Sequence, residues 1–124
     1  MRSRMLLIGL VFVLVSAVAA QAATLRTAPF PSNLLASGSA RCAVTNAGKT
    51  TGTFTSATLY QNDGASLRTL GPAALAAHNT SETAPFLIAN GNPTHCECVV
   101  PSAATWRCAF QFIDGSTIIV IGAP

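Results

Sequence analysis

Charged side chains are scarce in this chain: Asp, Glu, Lys and Arg together make up only 9% of its 124 residues. Two of the seven basic residues, Arg2 and Arg4, lie at the very start, and the others are scattered singly along the chain. A nucleic-acid-binding surface needs positive charges that cluster on one face. The sequence therefore predicts no nucleic-acid partner, and it predicts a surface of Thr, Ser, Asn and Ala that steers charged ligands only weakly.

Catalytic groupings are also missing from the sequence. There are only two histidines, His78 and His95, and no G-x-S-x-G pattern occurs. Asp63 and Asp114 each precede a glycine, and in such turns Asp supports the turn itself. We therefore expect no enzymatic activity, no catalytic residues and no cofactor.

The apolar run near the start of the chain is typical of a signal peptide. Arg2 and Arg4 are followed by the apolar run from Met5 to Val15, and Ala20-Gln21-Ala22 fits the A-x-A cleavage pattern. We predict cleavage after Ala22, with cleavage after Ala20 as the second choice. A retained membrane anchor is the alternative interpretation, but the run is short for a span of ~20 residues.

Residues 23–124 are predicted to form one exported domain, in the periplasm or the medium. They contain no second apolar run of spanning length, so we expect no membrane span after cleavage. All four cysteines lie in this part: Cys42, Cys96, Cys98 and Cys108. An even number of cysteines in an oxidising compartment indicates disulfide bonds.

Strand and turn signals dominate the mature sequence. Thr, Val, Ile and Phe favour strands, and Gly, Pro and Asn punctuate them at spacings typical of a sandwich. Trp106 to Ile113 alternates in polarity, and Asp114-Gly115 indicates a hairpin to a final strand. The sequence predicts an all-β, immunoglobulin-like antiparallel β-sandwich of seven or eight strands. The Ala-rich segment from Pro72 to His78 is predicted as a loop or a partial helix.

Eight strands are expected, over residues 24–30, 39–45, 52–60, 66–70, 80–88, 94–100, 106–113 and 117–121, and the strand 80–88 is expected to be bent or broken at Pro85. We expect a core of Cys42, Val44, Phe54, Leu59, Trp106, Cys108, Phe110 and Phe112.

The spacing of the cysteines limits how they pair. Cys96 and Cys98 share one face of a strand, so they cannot easily bond to each other while it stays extended. In a hairpin of residues 94–113, Cys98 and Cys108 lie opposite each other, which favours a cross-strand bond and leaves Cys42 to join Cys96 between the sheets. The alternative joins Cys42 to Cys108. The favoured bonds close loops of about 55 and 11 residues and contribute roughly 4 and 3 kcal/mol.

A metal- or redox-active site is the alternative to disulfide bonding. The segment His95-Cys96-Glu97-Cys98, with Cys108 and His78, offers soft metal ligands. However, it lacks the C-x-x-C spacing of structural zinc sites. His95 and Cys96 also point to opposite faces of a strand. The sequence therefore predicts no metal, and activity through His95, Cys96 and Cys98 remains the alternative function.

Three further motifs each have two interpretations. Asn79-Thr80-Ser81 matches the N-glycosylation pattern, which also arises often by chance. Trp106 is interpreted as a core residue rather than a ligand anchor. Ile118 to Ile121 is apolar on both faces, which favours a central or covered strand. The functional interpretation makes Thr117 to Ile121 a contact surface for a protein partner or a second copy.

Two segments, Ser39 to Gly48 (SARCAVTNAG) and Ala57 to Tyr60 (ATLY), followed by Asp63-Gly64, His95-Cys96 and a final hairpin, carry a family resemblance. Over residues 38–122 the chain resembles a group of small, mostly uncharacterised bacterial exported proteins. The resemblance implies a single immunoglobulin-like sandwich with Cys42 bonded to Cys96. The additional cysteines depart from this two-cysteine pattern, which supports a bond between them. The resemblance implies no activity, so we expect a non-catalytic exported module with a binding or structural role.

Overall fold

The computed structural model describes residues 22–124, which form an all-β, antiparallel structure. The predicted fold class is confirmed at this level. The signal peptide expected over residues 1–22 falls outside the described residues except for Ala22. The eleven strands are β1 Ala23–Arg26, β2 Ser39–Asn46, β3 Gly52–Phe54, β4 Ser56–Gln61, β5 Ser66–Leu70, β6 Ala73–Leu75, β7 Thr80–Glu82, β8 Phe86–Leu87, β9 Pro93–Val100, β10 Trp106–Asp114 and β11 Thr117–Gly122.

Three antiparallel sheets contain these strands. The first sheet has the order β1-β9-β4-β5, and the second has the order β11-β10-β2-β7, with β8 also paired to β2. A small third sheet joins β3 to β6. Short 3-10 turns at Ser32–Leu34 and Ile88–Asn90 complete the regular structure of the described part.

The strand count exceeds the seven or eight that the sequence predicts, because two long expected strands are each divided in two and β6 is an additional strand. The segment 52–60 breaks at Thr55, so β3 pairs with β6 while β4 pairs with β9. The segment 80–88 is broken as expected: residues 83–85 separate β7 from β8, and Pro85 has no N–H to donate to a ladder. The Ala-rich segment 72–78 contains β6 and a turn rather than a helix, since so short a helix needs packing to be stable.

The core lies between the inner faces of the first and second sheets. Strand β10 shows the expected alternation, with every second residue from Trp106 to Phe112 buried. On the facing sheet, Leu59 and Val100 are completely buried. The eight residues predicted as core are all buried: Cys42, Val44, Phe54, Leu59, Trp106, Cys108, Phe110 and Phe112.

A buried asparagine at the end of β2 connects the third sheet to the second. The Nδ2 group of Asn46 donates to the carbonyl oxygens of Thr50 and Leu75, both at 2.9 Å. Its Oδ1 atom accepts a hydrogen bond of 3.0 Å from the Gly48 N–H. Because buried polar groups are costly unless they are paired, these three bonds hold the β2–β3 connection and β6 in one arrangement.

Candidate functional site: the disulfide-braced sheets and the edge strand

Both disulfide bonds cross from the first sheet to the second. Cys42 of β2 is bonded to Cys96 of β9, and Cys98 of β9 is bonded to Cys108 of β10. The Cα–Cα distances are 5.7 and 5.9 Å, and all four cysteines are buried. Strand β9 is thus attached covalently to two neighbouring strands of the opposite sheet.

The Cys98–Cys108 bond differs in one respect from the sequence-based expectation. That expectation placed both cysteines in one hairpin, as a cross-strand pair. The prediction of a hairpin is wrong: β9 and β10 belong to different sheets. Both edges of β9 are already paired, to β1 and to β4, so β10 pairs with β2 and faces β9 across the core.

The groups of the alternative metal or redox site are not brought together as ligands. Cys96 and Cys98 face the core in disulfide bonds, while His95 lies on the other face of β9. The His95 ring stacks on Tyr60, with centroids 5.3 Å apart, and its Nδ1 atom is 2.9 Å from Thr94 Oγ1. Within residues 22–124, no group of three His, Cys, Asp or Glu side chains is placed to hold a metal ion.

The second histidine lies in a turn away from this face. His78 has a positive φ of 64°, and its N–H donates to the Asn46 carbonyl oxygen at 2.7 Å. The following Asn79, which begins the glycosylation pattern, is exposed.

The four carboxylates lie apart, and each has its own partner. Their contacts are Glu97–Arg26 at 3.0 Å, Glu82–Arg41 at 2.9 Å, Ser37–Asp114 at 3.1 Å, and Asp63 with Ala65 and Gln61 at 3.0 and 3.1 Å. The hydrogen bond from the Ala65 N–H, and then that from the Gln61 amide, lower the pKa of Asp63 below its ordinary value of 3.8. These contacts stabilise turns and sheet surfaces, and they do not form a paired acid and base.

Trp106 occupies the core and also forms one wall of a shallow cleft. Its side chain is 3% exposed, and its ring lies 6.3 Å from that of Phe54. The adjoining cleft of about 250 Å³ has one charged residue in its lining, Arg107. The Nη1 group of Arg107 donates to the carbonyl oxygens of Ala104 and Trp106 at 3.2 and 2.9 Å. The guanidinium thus stabilises its own loop.

Strand β11 is an edge strand, which corrects the favoured interpretation of Ile118 to Ile121 as central or covered. Strand β10 pairs with β2 on one side, so β11 takes the outer position after the turn at Gly115-Ser116. In the described part of the chain, no strand pairs with its other edge. Ile118, Ile119 and Val120 are 60%, 39% and 56% exposed.

Comparison of the chain with protein-family profiles, with curated proteins and with solved structures finds no significant match. Over residues 22–124, no helix has the length and apolar character needed to cross a bilayer.

Two residues with a structural role at this site are not indicated by the amino-acid sequence. Thr27 and Thr83 are buried, and their hydroxyl groups accept hydrogen bonds from the N–H groups of Cys96 and Cys42. Thr27 is 69 residues from Cys96 and Thr83 is 41 residues from Cys42. No local pattern in the sequence indicates such distant partners.

Proposed function

We propose that this chain is an exported, non-catalytic module whose residues 23–124 form a single immunoglobulin-like β-sandwich with a binding or structural role. The observation that carries the proposal is the pair of disulfide bonds that link β9 to β2 and β10 across the core. Such bonds raise the free energy of unfolding by restricting the unfolded chain, and they suit a domain that must persist outside the cell.

The immunoglobulin-like assignment is supported by the placement of the longer disulfide. Cys42 and Cys96 are 54 residues apart and connect two antiparallel sheets. Immunoglobulin domains likewise have a disulfide between their sheets and a buried Trp in the core. Trp106 supplies a buried indole here, although it packs against Phe54.

Export is supported by chemistry at two places in the chain. The segment that ends at Ala22 has the features of a cleavable signal, and all four cysteines are bonded, as is typical of an oxidising compartment.

To test export, the full chain would be expressed in a bacterium that has a periplasm, and the intact mass of the product would be measured in the envelope and in the medium. We expect a chain that begins at Ala23, or at Gln21. An uncleaved product that stays in the cytoplasm would contradict export.

The non-catalytic assignment rests on the separation of the titratable groups. His78 and His95 lie in different regions, and the carboxylates each have a structural partner.

To test this assignment, the exported protein would be assayed against a broad panel of ester, glycoside, peptide and phosphate substrates. We expect no turnover above that of a heat-denatured control. Turnover that is lost when one polar residue is changed would refute the proposal.

Thiol counting on the same exported protein distinguishes the proposal from the metal- or redox-active alternative. In the proposed module, the denatured and unreduced protein contains no reactive thiol, because all four cysteines are bonded. Two or more free thiols would favour an activity that uses His95, Cys96 and Cys98.

A further inference from the structure

We infer that β11 is a self-association site, at which two copies of this chain pair their Thr117–Gly122 strands antiparallel into one continuous sheet. This inference goes beyond the proposed function and does not depend on it. It rests on the direction of the backbone groups of β11, on the contrast between β11 and the other sheet edges, and on the absence of charge from the strand.

The register of β11 shows which backbone groups face outward. The Ala123 N–H donates to the Cys108 carbonyl oxygen at 2.9 Å, and Ile121 and Ile119 lie opposite Phe110 and Phe112. Because hydrogen-bonded residues alternate along an antiparallel strand, the odd-numbered residues face β10. The N–H and C=O groups of Ile118, Val120 and Gly122 therefore point to the outer edge, where the described residues supply no partner strand.

The other sheet edges have features that oppose further pairing, and β11 has none of them. Strand β1 is four residues long and ends in Arg26, and β5 contains Arg68 and pairs with β4 through an irregular register. Strand β7 is three residues long and ends in Glu82. Strand β11, in contrast, has six residues, a continuous register with β10 and no charged residue. Charges, bulges and short length are the usual protection of an edge strand.

The charge and pattern of β11 favour a second copy of the same strand. No side chain from Gly115 to Pro124 is charged, so a charged side chain of a partner strand would be desolvated there without an ion-pair partner. One other six-residue strand lacks charge, β4, but both of its edges are paired. Among the strands of this length, the neutral one with an accessible edge is therefore β11 itself.

When the two-fold axis of the dimer passes through Ile119, the β-branched side chains of the two copies lie opposite each other. This axis places Ile118 opposite Val120 of the second copy on the outer face, and Ile119 opposite Ile119 on the core face. Directly opposed β-branched pairs stabilise antiparallel sheets. Because the pairing uses the same edge of both copies, it closes on itself and yields a dimer rather than a fibre.

The interface is small, so the dimer should be weak. It depends on six residues a side, and interfaces below ~1,200 Å² are usually transient. We expect a dissociation constant on the order of 10–100 μM. An uncharged strand pair should also be insensitive to salt.

The test measures the mass and the amide exchange of the disulfide-bonded product of the full chain. Sedimentation velocity from about 1 μM to 1 mM should show a shift from monomer to dimer. In hydrogen exchange, the amides of Ile118 and Val120, which lie opposite each other across the two-fold axis, should gain protection as the concentration rises, whereas Ile119 and Ile121 are protected throughout. A monomer at every concentration, or a dimer without this alternating protection, would overturn the inference.

Val120→Pro removes one outward N–H and no hydrogen bond to β10, and proline is tolerated on an edge strand in that position. We expect the dissociation constant to rise more than about tenfold, since the loss occurs twice in the dimer. Val120→Lys is a second variant, which keeps the test possible if Val120→Pro does not fold. It places a charge on the edge strand and should also raise the dissociation constant more than about tenfold.

Leu87→Lys is the matched control, because Leu87 is 58% exposed and lies on β8, away from β11. It adds the same charge and removes a similar exposed side chain, and we expect its dissociation constant to equal that of the unchanged protein. A dimer that survives in folded Val120→Lys, or that is lost in Leu87→Lys, would show that the edge of β11 is not the contact.

Discussion

Thr83 and Cys42 exchange two hydrogen bonds: the Thr83 N–H donates to the Cys42 carbonyl oxygen at 2.9 Å, and the Cys42 N–H donates to Thr83 Oγ1 at 3.0 Å. Thr27 and Cys96 repeat the arrangement at 3.0 and 2.9 Å. Both halves of one disulfide bond are therefore held by a buried threonine that follows a short edge strand. In each case the hydroxyl replaces a backbone acceptor at a point where the strand ladder ends.

Replacing Thr83 by Val should destabilise the protein by about 1–3 kcal/mol. The substitution keeps the shape of the side chain but leaves the buried Cys42 N–H without its acceptor. Thr83→Ser, which keeps the hydroxyl group, should lose less. Thr69→Val, on an exposed position of β5, is the control and should have little effect. Urea unfolding measures these differences, and equal stability of Thr83→Val and the unchanged protein would refute the role of the hydroxyl.

Removing either disulfide bond should lower stability, and the longer link should matter more. On the chain-entropy estimate, replacing Cys42 and Cys96 together by Ala costs about 4 kcal/mol, and replacing Cys98 and Cys108 together costs about 3 kcal/mol. Thermal unfolding of the two double variants, beside the unchanged protein in strong reductant, tests the order. A compact protein whose melting temperature is the same with and without reductant would contradict the bracing role of both bonds.

Asn46→Ala should destabilise the protein by about 3 kcal/mol, because it removes three hydrogen bonds from a buried position. The loss should be local at first: amides of β3 and β6 should exchange faster than those of β10. Asn79→Ala, at an exposed position, serves as the control for loss of an amide side chain. Uniformly faster exchange across all strands would show that Asn46 has no special connection to the third sheet.

The Asp63 carboxyl should titrate below its ordinary pKa of 3.8, because the Ala65 N–H and the Gln61 amide donate to its charged form. A lowered folded-state pKa contributes stability above the unfolded-state value, and this contribution is lost as the pH falls through the folded-state value. The loss should therefore begin below about pH 4. Carboxyl carbon shifts measured by NMR give the titration directly. Gln61→Ala should move the pKa of Asp63 upward, and an unchanged titration would refute the contribution of the amide.

The strand-forming segments are the part of the fold that local patterns indicate well. Alternation from Trp106 to Phe112 places the buried face of β10, because side chains on a strand alternate whatever the strand pairs with. Asp114-Gly115 indicates the hairpin for a similar reason, since a tight turn with positive φ at Gly115 requires only local chemistry. The break within residues 80–88 is also indicated locally, because Pro85 has no N–H to donate to a ladder, whichever strand lies beside it.

Local sequence patterns do not show to which sheet a strand belongs, or whether it lies at an edge. Cys98 and Cys108 are ten residues apart, which suggests a hairpin, yet they belong to opposite sheets because both edges of β9 are occupied. Likewise, no residue between Thr117 and Ile121 indicates that this apolar strand lies at an edge. The position of a strand in a sheet is decided by competition among all strands for hydrogen-bonding edges.

The amino-acid sequence by itself determined that the chain forms strands, where its buried faces lie, and that four cysteines are available for two bonds, because these properties depend on side-chain type and a two-residue period. Only the tertiary structure decided that both bonds cross between sheets, that Thr27 and Thr83 hold Cys96 and Cys42, and that β11 has an unpaired edge. Those relationships join residues far apart in the chain, and they arise from packing two sheets around one core.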